Sequence, residues 1–420
     1  MSEQMSSELR SDLARGTAEE VARRSYGKLV AFLAARTRDV AGAEDALSEA
    51  FASALADWPK SGCPASPEAW LLTVARRKTI DTLRSRKRLE RAAEELRVID
   101  DGLEAAERSS PIPDERLALM FACAHPAIDL AVRAPLILQT VLGLDAKVIA
   151  SAFLISPAAM GKRLVRAKEK IREAGIPFAV PEREELPARL DTVLDAIYAA
   201  FAEGWTDPSG TDAARRDLTE ESLFIARLVT ELLPENAEAL GLLALMLYAE
   251  SRRMARRSEE GEYVPLAEQD TSLWNSGAIA EAESVLKGAS RLRNPGRFQL
   301  EAALQSAHTH RCRTGNWNWP EILQIYDALF EISGSPVVAI NRALAVAEID
   351  GAEAGLNMLN KLGDHARLGE YQPYWAARAE LLARTNAREQ AHRAYEIAIG
   401  LERDDAVRRF LQKRQSKLNG

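Results

Sequence analysis

Apolar residues recur at helical spacing along most of the chain. In residues 18–36, Val21, Tyr26, Leu29, Val30 and Leu33 form one stripe, which predicts an amphipathic helix. A second helix is predicted over 40–57, with Ala46, Leu47, Ala50, Phe51 and Leu55 on its buried face. The segment WPKSGCPASP then holds three prolines and a glycine, which predicts a loop carrying Lys60 and Ser61. A third helix starts at Ser66, a residue suited to capping, with Pro67 at the first helical position and Glu68 beside the positive helix end. Its two faces differ sharply. Leu71, Leu72, Val74, Ala75 and Leu83 share one arc, with Trp70 at its edge, whereas Arg76, Arg77, Arg84 and Lys87 surround Ile80 on the other.

Residues 94–116 break the pattern: they are acidic, contain SSPIP and read as a linker. Apolar spacing resumes at Leu117. DAKVIASAFL predicts a short helix, LISP a tight connection, and SPAAMGKRLVRAKEKIREAG a second helix with Met160, Leu164, Ala167 and Ile171 inward. Beyond Pro187 helices with small residues at their packing positions follow one another, and an irregular stretch, 251–276, interrupts them with Tyr263, Val264, Leu266 and Trp274 set among polar residues. IYDALFEISGSPVVAINRALAVAEI and AYEIAIGLERDDAVRRFLQKR share an aromatic residue, a small-residue helix, a break and a second helix; their tyrosines, Tyr326 and Tyr395, are close to two periods of about 34 residues apart. No alternating β-branched run argues for a sheet, so the predicted fold is all-α.

Composition agrees with this reading and adds a contrast. The 420 residues are 47% apolar but only 6% aromatic, too long a chain for one core. Cys63, Cys123 and Cys312 are scattered, which fits a reducing compartment. The polar N-terminus lacks a signal peptide's apolar centre, and the greasiest run, 239–248, is too short for a bilayer, so the expectation is a cytoplasmic protein with no membrane contact. The net charge is −7, yet Arg76–Arg91 carries eight basic residues against two acidic, and Lys162–Arg172 six against one. One basic helix is usually a solvated face. Two of them in an acidic chain, each with an apolar back, have the charge pattern that phosphate contact demands, and the second follows a short helix and a tight turn as a recognition helix does. Glu44, Asp45 and Glu49 form an acidic patch, read either as helix-dipole complementation or as a docking surface for a basic partner.

These segments, in this order, resemble bacterial sigma factors of the extracytoplasmic-function type. AEDALSEAF resembles the part of region 2 that docks on core RNA polymerase, which implies roles for Glu44, Asp45, Ser48, Glu49 and Phe51. PEAWLLTVARRKTIDTLR resembles the segment that contacts and opens the −10 element of promoter DNA, implying Lys60, Ser61, Arg76, Arg77, Ile80, Arg84 and Lys87. ISPAAMGKRLVRAKEKIREA resembles the region 4 helix that reads the −35 element, implying Ser156, Ala159, Lys162, Arg163 and Arg166. Gly161 departs from the polar or basic residue common there, and costs the helix about 1 kcal/mol against alanine. DERLALMFACAHPAI and VRAKEKIREAGIPFAVP resemble the group with a long tetratricopeptide-like C-terminal extension.

The resemblance implies a region 2 domain at 1–93, a linker at 94–116 that threads polymerase channels, a region 4 helix-turn-helix domain at 117–180 and the extension at 187–420. Factors of this type are often held by a separate regulatory protein; here the extension is a candidate to replace it through intramolecular contact with the sigma domains. The competing readings are a helical-repeat scaffold or adaptor with no promoter role, and a repressor that binds duplex DNA alone. Catalysis is not expected: there is no phosphate-binding glycine loop or nucleophile elbow. His308, His310 and Cys312 do not converge on one helix face, so neither metal nor other cofactor is expected.

Overall fold

The computed structural model describes residues 2–37, 39–87, 114–153, 155–173, 181–205, 213–315, 318–362 and 368–419. Among these the chain is helical and has no strand; Arg257 and Tyr263 form one isolated antiparallel bridge. It divides into two compact units. The first comprises residues 1–206 with 212–232, the second 207–211 with 233–420.

The first unit begins with α1 (Ser2–Thr37), α2 (Val40–Ser61) and α3 (Pro67–Lys87), which pack on one another. Helix α1 starts well before the apolar stripe of 18–36, because nothing in residues 2–17 breaks a helix and Ala14 and Ala18 are already buried. Leu29, Val30 and Leu33 carry the stripe into the core. On α2 the buried seam is Ala43, Ala46, Leu47, Ala50, Ala54 and Trp58. This differs from the expected face in two places: Phe51 is only half-buried, and Leu55 stands one residue off the seam and is 49% exposed.

A larger difference lies at the helix end. The predicted loop at 58–67 is half helix, since α2 runs through Pro59 to Ser61 and thus contains Lys60 and Ser61. Pro59 costs the helix one amide donor. The last turn survives because Trp58 is 1% exposed and anchors it, and because Gly62, at φ +86°, donates its amide to the Trp58 carbonyl at 2.9 Å. Trp58 meets Trp70 of α3 edge-on, with ring centroids 5.5 Å apart.

Next come α4 (Glu115–Cys123), α5 (Leu130–Thr140), α6 (Ala146–Ala152) and α7 (Pro157–Glu173). The greater part of the acidic linker, 94–113, lies outside the described residues. Its end does not: Asp114 caps α4, accepting from the amides of Arg116 and Leu117. Helices α8 (Leu186–Trp205) and α9 (Ala213–Leu232) complete this unit. The buried Arg189 of α8 donates to the Phe121 carbonyl at 3.2 Å, and Arg116 bridges Asp114 and Glu221 of α9.

Burial pushes the Asp114 carboxyl up, but Arg116 and the two capped amides pull harder and leave it below the ordinary aspartate range. A depressed carboxylate adds stability above its unfolded pKa and loses it as pH falls through the folded value. Asp114→Ala should therefore cost about 1–2 kcal/mol at neutral pH. In urea titrations the difference from the parent chain should shrink as the pH drops below the usual aspartate range.

The second unit runs α10 (Ala237–Ser251), α11 (Ser276–Arg291), α12 (Arg297–Thr314), α13 (Trp319–Ser333), α14 (Pro336–Ile349), α15 (Ala352–Leu362), α16 (Gln372–Arg384), α17 (Arg388–Leu401) and α18 (Asp405–Ser416). From α12 onward each helix packs on the next in sequence. The two segments with related patterns occupy α13–α14 and α17–α18, and both their tyrosines face apolar clusters. Small residues let the axes approach. A Cβ on Gly355 would lie 2.6 Å from the Ala343 carbonyl oxygen and from Ala347 Cβ. Gly355→Ala should cost about 1–3 kcal/mol by overpacking, read as a lowered urea midpoint of this unit.

The irregular stretch between α10 and α11 contains three short 3-10 turns and packs on α18. Tyr263 meets Phe410 edge-on at 5.4 Å, Arg257 pairs with Asp404 at the start of α18, and Glu262 accepts from Arg409 and Lys413 at 2.8 and 3.0 Å. Trp274, at 7% exposed, pins its far end.

Candidate nucleic-acid and polymerase interface

Two sets of predicted site residues lie side by side on α2 and α3. Asp45, Ser48 and Glu49 are exposed on α2, one helical turn covering all three, and Phe51 is half-buried beneath them. Lys60 and Ser61 are exposed at the helix end, where the Ser61 hydroxyl donates to the Asp57 carbonyl at 2.9 Å. On α3, Leu71 and Ala75 are fully buried, Ile80 is half-buried, and Arg76 and Arg77 are exposed. The sequence periodicity thus delivers its two faces. The side chains of Arg84 and Lys87 lie outside the described residues. Lys78 Nζ stands 3.2 Å from Glu49 Oε2, which joins the basic helix to the acidic one at the surface.

Glu68 has a use beyond the helix dipole, because it accepts a hydrogen bond from the Ser25 hydroxyl of α1. This bond and the Trp58–Trp70 contact fix the start of α3 against the rest of the bundle.

Glu44 does not share the exposure of its neighbours. Its carboxylate lies 2.6 Å from Lys168 Nζ on α7, with both side chains more than four-fifths buried. Beside it Tyr26 of α1 is pushed up to about 12 by burial and by the Glu44 carboxylate. An open cleft of about 1020 Å³ adjoins these groups.

The third set sits on α7. Met160, Leu164 and Ile171 are buried, and Lys162, Arg163 and Arg166 are exposed on the opposite side. Ser156 is exposed, its hydroxyl accepting from the amide of the half-buried Ala159 at 3.3 Å, as an N-cap does. Val165, 57% exposed among the three cations, went unnoticed in the sequence because its spacing marks no face. Gly161 has open space where a Cβ would stand. Gly161→Ala should therefore stabilise α7 by about 0.5–1 kcal/mol, measurable as a raised unfolding midpoint.

Comparison with known proteins decides what such a pair of faces belongs to. Residues 21–89, which span α1 to α3, match sigma-70 region 2. This part of the chain is a sigma-70 region 2 domain. That domain supports a sigma factor's part in promoter-directed transcription initiation, with core RNA polymerase and promoter DNA as partners. Sigma-70 family members are transcription factors and not enzymes. Residues 189–290 match DUF6596, a family of unknown function. The chain is 38% identical over 364 residues, 86% of each chain, to the uncharacterized protein R00370 of Rhizobium meliloti (strain 1021), and belongs to one family with it. No solved structure matches it. No helix among the described residues is long and apolar enough to cross a membrane.

Proposed function

We propose that the protein is a sigma factor of the extracytoplasmic-function type, acting in the cytoplasm. The observation that carries this reading is the match of residues 21–89 to sigma-70 region 2, over a bundle whose α3 exposes Arg76 and Arg77. Glu44, Asp45, Ser48, Glu49 and Phe51 form the docking surface for core polymerase, acids against a basic partner. Lys60, Ser61, Arg76, Arg77, Ile80, Arg84 and Lys87 engage the −10 element, cations on phosphates and the apolar Ile80 against bases as the strands part. Lys60 and Ser61 lie on the last turn of α2, so the loop of residues 62–66 is what can receive an unstacked base.

Helices α6 and α7 act as a helix-turn-helix on the −35 element. Ser156, Ala159, Lys162, Arg163 and Arg166 face the major groove, where an apolar Val165 is suited to a thymine methyl. The helices beyond 187 form a tetratricopeptide-like extension that regulates or supports this activity, in place of or together with a separate regulatory protein.

The test is run-off transcription by bacterial core polymerase on genomic fragments of the source organism, with the chain added or omitted. Transcripts that require the chain, and that fall at least tenfold with Asp45→Arg through lost core binding, are the expected result. Absence of any association with core polymerase would overturn the reading and favour the scaffold. Tight operator binding without polymerase would favour a repressor.

A further inference from the structure

The loop of residues 62–66 is tethered at three places. At its start the Gly62 amide is tied to the Trp58 carbonyl. Just past its end, Glu68 on the first turn of α3 takes the Ser25 hydroxyl. Between them the half-buried Cys63 reaches across to α1. Its thiol donates to the hydroxyl of Thr17, with Sγ 3.6 Å from Oγ1, and the Thr17 hydroxyl donates in turn to the Leu13 carbonyl at 2.9 Å. This contact brings to the loop the first turns of α1, which precede both the apolar stripe of 18–36 and the region 2 match at 21–89.

A thiol is a weak donor, so this bond adds little to stability. Its effect is on position. A pocket that stands ready binds better than one that must be ordered as the base arrives. Pro64 already restricts the loop backbone, and Thr17 fixes the residue between Pro64 and Gly62. The seat on α1 is firm, since Ala14 and Ala18 are buried to either side of Thr17. Leu13 lies one turn before Thr17 on the same face of the helix and is 65% exposed. A single exposed leucine carries no message of its own. This one shares the face that touches the loop, and leucine is among the apolar wedges that hold bases out of their stack.

We propose that the first turns of α1 belong to the −10 interface: Leu13 is an apolar wedge at the rim of a pocket formed by residues 62–66, and Thr17 is a positioning residue that sets the shape of that pocket through Cys63. The occupant is an unstacked base of the −10 element. The sigma reading supplies the identity of the nucleic acid, and the Thr17–Cys63 contact supplies the place of the pocket.

The test uses the full-length chain with core polymerase and a promoter fragment recovered by run-off transcription. An abasic nucleotide is placed at each −10 position of the non-template strand in turn, and the affinity of the holoenzyme is measured. With the parent chain one position should stand out, the loss there marking the base in the pocket. Thr17→Val removes the hydroxyl at nearly constant shape, and Cys63→Ala removes the thiol. Each should shrink the loss at that position about three- to tenfold, the worth of one hydrogen bond. The double variant should shrink it no further, because both changes break the same contact. Thr17→Ser should restore the parent's loss, and Leu13→Ala should shrink it by its own route. Core affinity and the salt slope of promoter binding should stay those of the parent in every variant, which a folding defect would not allow. Thr17→Val or Leu13→Ala with the parent's full loss overturns the part assigned to that residue. Equal shrinkage at every −10 position, or no position that stands out in the parent, overturns the pocket. A parent chain that binds no promoter with core polymerase overturns the sigma reading, and the pocket falls with it.

Discussion

Trp58→Ala should destabilise the first unit by about 3–5 kcal/mol, a fifth or more of the stability of an ordinary domain. Trp58 is 1% exposed, closes the seam of α2 and stacks edge-on with Trp70. Its removal leaves a cavity larger than neighbouring alanines can refill, and it frees the last turn of α2, which already lacks the amide of Pro59. Trp58→Phe should cost about half as much, because a ring still fills most of the site. Urea titration followed by far-ultraviolet circular dichroism checks both. A loss under 1 kcal/mol for alanine would mean that Pro59 ends the helix after all. Core polymerase binding should fall with stability, since Asp45, Ser48 and Glu49 ride on the same helix.

The all-α fold was legible because its signal is periodic. The stripes of α1 and α3 and the inward set of α7 appear in the sequence as repeats of three and four, and Leu29, Leu33, Leu71, Ala75, Met160 and Leu164 are all buried. What misled was punctuation. Three prolines and a glycine within ten residues predict a loop, yet Pro59 is helical because Trp58 and Gly62 hold the turn on either side of it. Leu55 was misplaced because a leucine on a helix edge has the same composition as one on the seam, and only the 100° step from Ala54 tells them apart.

Exposure of the proposed DNA contacts was readable for the same reason as burial of the core. Arg76, Arg77, Lys162, Arg163 and Arg166 sit opposite the apolar arcs. The engagement of Glu44 was not readable. It depends on Lys168, 124 residues away. Contacts of that span are fixed by tertiary packing, which local periodicity does not encode. The DNA-facing side of α7 shows a similar limit: Val165 is visible as a valine but becomes conspicuous only when its surroundings prove to be cations and solvent.

The Arg76→Ala/Arg77→Ala double variant should leave the fold intact and cut promoter-dependent transcription about 30- to 150-fold. Both side chains are exposed on a helix whose packing comes from Leu71 and Ala75, so the change in stability should stay within about 0.5 kcal/mol. Two charge-assisted phosphate contacts at about 1–1.5 kcal/mol each account for the loss in activity. The salt dependence separates this from a general defect: removal of two phosphate contacts should lower the slope of log affinity against log salt by about 1.5–2 for holoenzyme on promoter DNA. Core polymerase binding should be unchanged, because the acids of α2 remain. A variant that transcribes normally, or one whose salt slope equals the parent's, would remove Arg76 and Arg77 from the DNA interface and leave α3 as a solvated helix that only buttresses α2.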